Sequence, residues 1–245
     1  MGIGYNPRIV TDGLVFALDA ANPRCYSGTG LTAYGLVAGI AGLGGTIING
    51  ALVNGVGYST ANNGASTFDG SNDYIDVDDF NFDFSNGLTI CTFCYPTAAS
   101  NWGRIIDFGL GQANENIILG RYQNTNNFFI EARSSVDLQR LIVSTGNQFV
   151  ANSFHFLAGV VDGGSPGSNT TARLYHNGDQ INFASINTMM VPNTINRTSN
   201  YIARSNWTAD SYYQGNIYSV YIYNRALSAA EIRQNYNATK GRYGL

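Results

Sequence analysis

Lysine is almost missing from this chain: Lys240 is the only one, and every other basic side chain is an arginine scattered along the sequence. With a net charge of −3 and no basic stripe, there is nothing to line up against a phosphate backbone, which excludes nucleic acid as a partner. Charge of either sign is scarce at 12% of residues, so amides and hydroxyls must keep a 44% hydrophobic chain in solution. No apolar run approaches the roughly 20 residues that a membrane helix needs. The opening MGIGYNPRIV has neither a charged stretch leading into an apolar one nor a small-residue cleavage site, so no secretory leader is expected. Asn6 stands where N-myristoylation requires Ser or Thr.

Catalytic sets are missing as well. There is no GxSxG, and GLGG at 42–45 lacks the Lys and Ser/Thr of a phosphate loop. Glutamate is confined to Glu115, Glu131 and Glu231. Glycoside cleavage needs two carboxylates flanking one bond. Glu115 falls in the loop-like GQANEN, Glu231 in a helix cap, and Glu131 stands alone beside Arg133, so no catalytic residue is assigned. The two histidines, His155 and His176, sit in strand-like contexts far apart in sequence and make no metal site. Cysteines are odd in number: Cys25, Cys91 and Cys94. The last two form a CxxC, but an offset of three puts them on opposite faces of a strand, so all three are expected as buried, reduced core residues.

What is present is a succession of short runs rich in Ile, Val, Phe and Tyr and bounded by Gly, Asn, Asp or Ser: GLVFALDA, TIINGALVNG, NDYIDV, GLTICTFCY, GRIIDFG, NIILGRY, NFFIEAR, LIVSTG, FHFLAGVVDG, ARLYHNGDQINFAS, NYIARS and NIYSVYIYN. That pattern predicts an all-β sandwich or barrel. Asn177-Gly178 supplies the two positive-φ residues of a type I′ hairpin turn. One helix is expected in LSAAEIRQNYNATKG: Ser228 caps it, Glu231 completes a capping box, Ile232 and Tyr236 share a face, and Gly241 closes it. No long linker interrupts the chain, so residues 1–245 read as one domain with residues 1–10 as an N-terminal arm.

In order along the chain, TDGLVFALDAANPRCYSGTG, STFDGSNDYIDV, LTICTFCYP, ARLYHNGDQI and YQGNIYSVYIYNRALSAAEIRQNYNATKGRYG resemble the landmarks of the laminin-G-like, concanavalin A-like jelly-roll family. The resemblance implies a jelly-roll sandwich of two antiparallel sheets with one short C-terminal helix and with the N-terminal strand near the C-terminal one. YNPRIVTDGL and ATKGRYGL further resemble the variant of this module found in virion proteins of tailed bacteriophages, notably cyanobacterial and marine ones. The fold hosts lectins, glycosidases, adhesion modules and structural subunits, so function has to come from the site.

Three candidate sites follow. Asp76, Asp78 and Asp79 in NDYIDVDDFNFDF are carboxylates of the kind calcium takes. Relatives, however, keep a polar loop where this chain has GLVAGIAGLGG and an acid where it has Tyr218, so the Asp run reads better as a solvated strand edge than as a calcium site, and no cofactor is assigned. Trp102 in SNWG, with Trp207, Tyr212 and Tyr213 in SNWTADSYYQG, offers aromatic faces beside amides, the chemistry of glycan contact. The GLVAGIAGLGG stretch, five of whose eleven residues are Gly, presents Leu36, Val37, Ile40 and Leu43 either as a lid on the core or as an apolar contact with another chain. The resemblance to virion modules implies a non-enzymatic phage virion protein on the particle surface, and the apolar stretch suits docking there. The first expectation is a capsid decoration subunit, homo-oligomeric and, as the resemblance to virion proteins implies, trimeric, docking on the major capsid protein or other virion subunits. The alternative is a carbohydrate-binding receptor module of a tail or fibre recognising a cell-surface glycan. A glycosidase or free lectin ranks below both.

Overall fold

The structure, a computed structural model, describes residues 8–38, 46–134 and 139–245. Every apolar run quoted above contains a strand. The first half of the chain gives β1 (Leu14–Asp19), β2 (Thr32–Ala33), β3 (Gly50–Val53), β4 (Gly57–Ser59), β5 (Ala65–Asp69), β6 (Tyr74–Val77), β7 (Leu88–Pro96), β8 (Arg104–Gly109) and β9 (Ile117–Arg121). There follow β10 (Phe128–Ala132), β11 (Leu141–Ser144), β12 (His155–Val161), β13 (Ala172–His176), β14 (Asp179–Ile181), β15 (Phe183–Ile186), β16 (Ser199–Ile202), β17 (Gln214–Tyr223) and the helix α1 (Ala229–Thr239). The architecture is all-β, two antiparallel sheets with one short C-terminal helix.

The first sheet runs β14, β13, β12, β7, β17, β5, β4. One edge of the long β17 serves two partners in turn, residues 214–217 pairing with β5 and 219–223 with β1, while its other edge pairs with β7 across a bulge between Ile217 and Ser219. The N-terminal and C-terminal strands are therefore neighbours. The second sheet runs β15, β11, β10, β9, β8, β16, β6, β3, β2.

Period-two alternation sorts the buried side chains into layers. Leu88, Ile90 and Cys94 of β7 face the core between the sheets, among Phe16, Phe108 and Phe128. Cys91 and Phe93 face the opposite side, where Ile232, Tyr236 and Tyr243 cover the back of the first sheet. The two cysteines of the CxxC thus lie on opposite faces; all three cysteines are free and buried, and burial pushes the Cys25 thiol up to about 11 and those of Cys91 and Cys94 to about 12. A third apolar cluster, Ile118, Phe129, Leu141 and Val143, lies on the outer face of the second sheet under Trp102, Tyr122, Ile186 and Trp207.

The hairpin and the cap form as expected. Asn177 and Gly178 have φ of 52° and 84° between β13 and β14. The Ser228 side chain accepts from the Glu231 amide, and the Glu231 carboxylate accepts from the Ser228 amide at 2.9 Å. Two expectations need correction. The helix passes into a 3-10 turn over Lys240–Tyr243, so the left-handed closing glycine is Gly244, φ 72°, and not Gly241. The Asp run is not a strand edge: β6 lies between β16 and β3, and only the outward alternation keeps Asp76 in solvent. Residues 8–10 are pinned along the helix, Val10 donating to the Asn235 amide oxygen and accepting from the Tyr223 hydroxyl; residues 1–7 lie outside the described residues.

Candidate functional site

Strand register builds the site. Reading across the outer face of the second sheet, one lateral row of paired residues is Asp76, Tyr201, Asp107, Ile118, Glu131, Leu141 and Ile186. The row crosses seven strands and carries a charged or aromatic residue on four of them, β6, β16, β8 and β10. A register shift between Arg104 and Ile106 in β8 turns Ile105 and Ile106 both to the core, which leaves Arg104 and Asp107 on the outer face. Arg104 pairs with Gly120, and a Cβ there would sit 3.0 Å from the Arg104 Cα, so the glycine makes room for the arginine stem.

Two tryptophans from distant loops close over these charges. Arg104 Nη2 donates to Asp210 at 2.9 Å, while its guanidinium lies 5.0 Å from the ring centroids of Trp102 and of Phe129, and 5.6 Å from that of Trp207. Its Nε and Nη1 make no hydrogen bond, which is consistent with a cation held in a cage of ring faces. Arg133 lies 5.2 Å from the Trp207 ring and donates from Nε to Glu131 at 2.9 Å. Asp107 ties the second tryptophan loop down: it accepts from the Asn206 amide N–H at 2.9 Å, the Asn206 side chain at 2.9 Å and the Asn116 side chain at 2.8 Å. Ser205 donates to Asp210 at 2.7 Å and accepts from the Trp207 N–H at 3.1 Å.

Burial pushes the Asp107, Glu131 and Asp210 carboxyls above the usual range, with Arg104 pulling each back and Arg133 pulling Glu131 back further; burial lowers Arg104. Removing one partner from such a buried pair costs about 3–5 kcal/mol, so the network fixes the loops rather than exchanging ions with solvent.

Above the network, Arg204, Ser205, Trp207, Thr208, Asp210 and Tyr212 line a pocket of about 100 Å³. Of the residues expected to contact glycan, Trp207 and Tyr212 line this pocket and Trp102, half-buried, packs edge-on to Tyr122 and Phe129 beside it. Tyr213 does not join them. It is 2% exposed, packs on Phe68 in the core, and donates its hydroxyl to the Asn216 carbonyl. Sequence reasoning passed over Arg104, Asp107, Asp210 and Arg204. One signal was available: each SNW loop is followed within a few residues by a charge, Arg104 after Trp102 and Asp210 after Trp207, and the two charges are of opposite sign.

The other candidates are dispersed. Asp76, Asp78 and Asp79 are exposed, Asp78 accepts from the Asn49 amide at 2.8 Å, and among the described residues no three His, Cys, Asp or Glu converge to hold a metal ion. Leu36 and Val37 pack half-buried against the outer cluster of the first sheet, Leu36 donating its amide to the Ala17 carbonyl at 3.0 Å; Ile40 and Leu43 lie outside the described residues. His155 and His176, far apart in sequence, meet at 2.9 Å.

Comparison with known proteins places the fold. A family profile described as the concanavalin A-like lectin/glucanases superfamily matches residues 69–233. No curated protein matches the chain in sequence. Among solved structures, domain 4 of AbnA, an extracellular arabinanase from Geobacillus stearothermophilus in complex with arabinotriose, aligns at 20% identity and TM-score 0.55, covering 91% of this chain and 97% of that one. The binding domain of botulinum neurotoxin DC aligns at 14% identity and TM-score 0.63, covering 93% of this chain but 52% of that one. Trypanosoma rangeli sialidase aligns at 14% identity and TM-score 0.60, over 94% of this chain and 34% of that one. At these identities the likeness is one of fold.

Proposed function

We propose that this chain, which belongs to the concanavalin A-like lectin/glucanase superfamily, is a non-enzymatic carbohydrate-binding module whose sugar site is the Trp207 pocket. The observation that carries the proposal is the pairing of a half-buried tryptophan and Tyr212 around a small polar pocket, held rigid by the buried network beneath. Sugars are bound by such preformed sites, an aromatic face against the C–H side of the ring and a few fixed polar groups for the hydroxyls. Binding rather than cleavage is supported by the state of the carboxylates. Glycoside hydrolysis needs one carboxyl to protonate the leaving oxygen and a second to attack or activate water. Glu131 is bonded to Arg133, Asp210 to Arg104 and Ser205, and Asp107 to Asn116 and Asn206. The setting we propose is a tailed-phage particle surface, on the resemblance of the chain's two ends to virion modules, with the whole chain acting as one module.

The test is a glycan array probed with the wild-type protein and Trp207→Ala. At least one glycan should bind the wild type, and the variant should bind it about 30-fold more weakly, the order of a 2 kcal/mol aromatic anchor. A full panel without binding, or binding indifferent to Trp207, contradicts the proposal.

Docking as a decoration subunit has its own support in three exposed apolar residues flanking the glycine-rich stretch, Leu31 at 76%, Tyr34 at 57% and Ile47 at 41% exposure. In that reading they meet a virion subunit, and serine at all three positions should release the protein from particles.

A further inference from the structure

Arg204 is the arginine lining this pocket, and the buried network does not engage it. Its guanidinium carbon lies 4.2 Å from the Tyr201 ring centroid and 4.6 Å from that of Tyr74. Those two rings are 5.5 Å apart and meet at 88°, so the cation sits in the corner between them, with Tyr212 tilted 6.4 Å from Tyr74. Register explains the corner: Tyr201 pairs with Asp76, which places Tyr74 one outward position along β6 from that pair. Arg104 and Arg133 each donate to a carboxylate, whereas Arg204 has its two ring contacts and neither a hydrogen bond nor an ion pair to any described residue. Stacking engages the faces of a guanidinium and leaves its in-plane N–H donors directed outward. The result is a planar fork of fixed orientation lining the same pocket as Trp207 and Tyr212.

We infer that this pocket selects glycans carrying a carboxylate, with the Arg204 fork donating to the carboxylate while Trp207 and Tyr212 take the sugar ring. The inference rests on the glycan-binding proposal and names the ligand class for that site. Carboxylate and guanidinium match in geometry, two parallel N–H donors to two oxygens, which no neutral hydroxyl pair reproduces. The neighbouring charges set a limit. Asp76 feels the Arg204 charge without reaching it, and Asp78 and Asp79 stand exposed on the same stretch. These repel a densely charged chain, so one carboxyl per bound sugar fits the site better than a sulfated or phosphorylated polymer.

The test is isothermal titration of the intact protein with two acid and neutral pairs: 3′-sialyllactose against lactose, and tri-galacturonate against its methyl ester. The arms separate a sialic from a uronic acid as the source of the carboxylate. For at least one pair the acid should bind the wild type about tenfold tighter than its neutral partner. Arg204→Gln should bring that ratio close to one, and Arg204→Lys, a point charge without the fork, should fall between. A wild-type ratio at or below one for both pairs overturns the inference and needs no variant to show it; so does an Arg204→Gln protein, folded by circular dichroism, that keeps the preference. Neutral glycans bound through Trp207 without acid preference overturn the carboxylate alone and leave the glycan site standing. Absence of binding to all four, with none on the array, overturns both.

Discussion

His176 stays neutral well below the pH at which a free imidazole takes a proton. Burial, helped by the neighbouring His155, lowers it to about 4, and burial lowers His155 as well. The pair defines its own protons. His155 Nε2 lies 2.8 Å from the Val150 carbonyl, which only accepts, so that nitrogen carries the proton, and His176 Nε2 donates across 2.9 Å to His155 Nδ1. The unfolded chain binds a proton near pH 6.5 that the folded one refuses until about pH 4. Stability from this site is therefore complete above pH 6.5 and declines as pH falls toward 4. Urea midpoints measured from pH 7 to 4.5 should drop, and His176→Gln, which keeps the donor and cannot charge, should drop less; equal slopes would remove the pair from the account. At this scale the sequence was half legible. Trp102, Trp207 and Tyr212 announced themselves as aromatics in polar loops, but Tyr213, one residue further on, faces the core by simple alternation. Arg104 and Asp107 were passed over because what buries them is a loop about a hundred residues away in sequence.

Among the elements, the helix and the β13–β14 hairpin were the most legible, since their signals are local. A Ser followed three residues later by Glu satisfies two orphan amides wherever the helix packs, and Asn-Gly supplies its φ angles without help. Glu231 is held further by Arg225, whose side-chain bond at 2.6 Å brings the carboxyl down to about 2. Ser228→Ala removes the acceptor for the Glu231 amide and should cost about 1 kcal/mol of stability, seen as a lower denaturant midpoint with unchanged slope. A loss no larger than a few tenths would mean the Arg225 pair alone holds the helix start. Strand existence was legible from short apolar runs, whereas pairing was not: nothing local says that β17 divides one edge between β5 and β1, or that Asp76 lies in an interior strand. The end of the helix was misplaced by three residues because Gly241 can sit inside a 3-10 turn, and only Gly244 has the left-handed φ.

Across the whole molecule, the sandwich serves to align one lateral row of outward side chains and to lay two loops over it. The helix covers the back of the first sheet, the tryptophans cover the outer face of the second, and the pocket opens where the second cover is polar. This arrangement makes the central claim, a sugar bound at Trp207, directly observable, because the chain has only two tryptophans and thus only two indole N–H resonances. The measurement is an indole-region proton–nitrogen NMR titration with the best ligand of the glycan array, each resonance assigned by single Trp→Phe substitution. With the sugar at Trp207, the Trp207 resonance shifts with saturation and that of Trp102 follows weakly. A ligand that binds while both resonances stay still places the sugar elsewhere and rules out a site at Trp207.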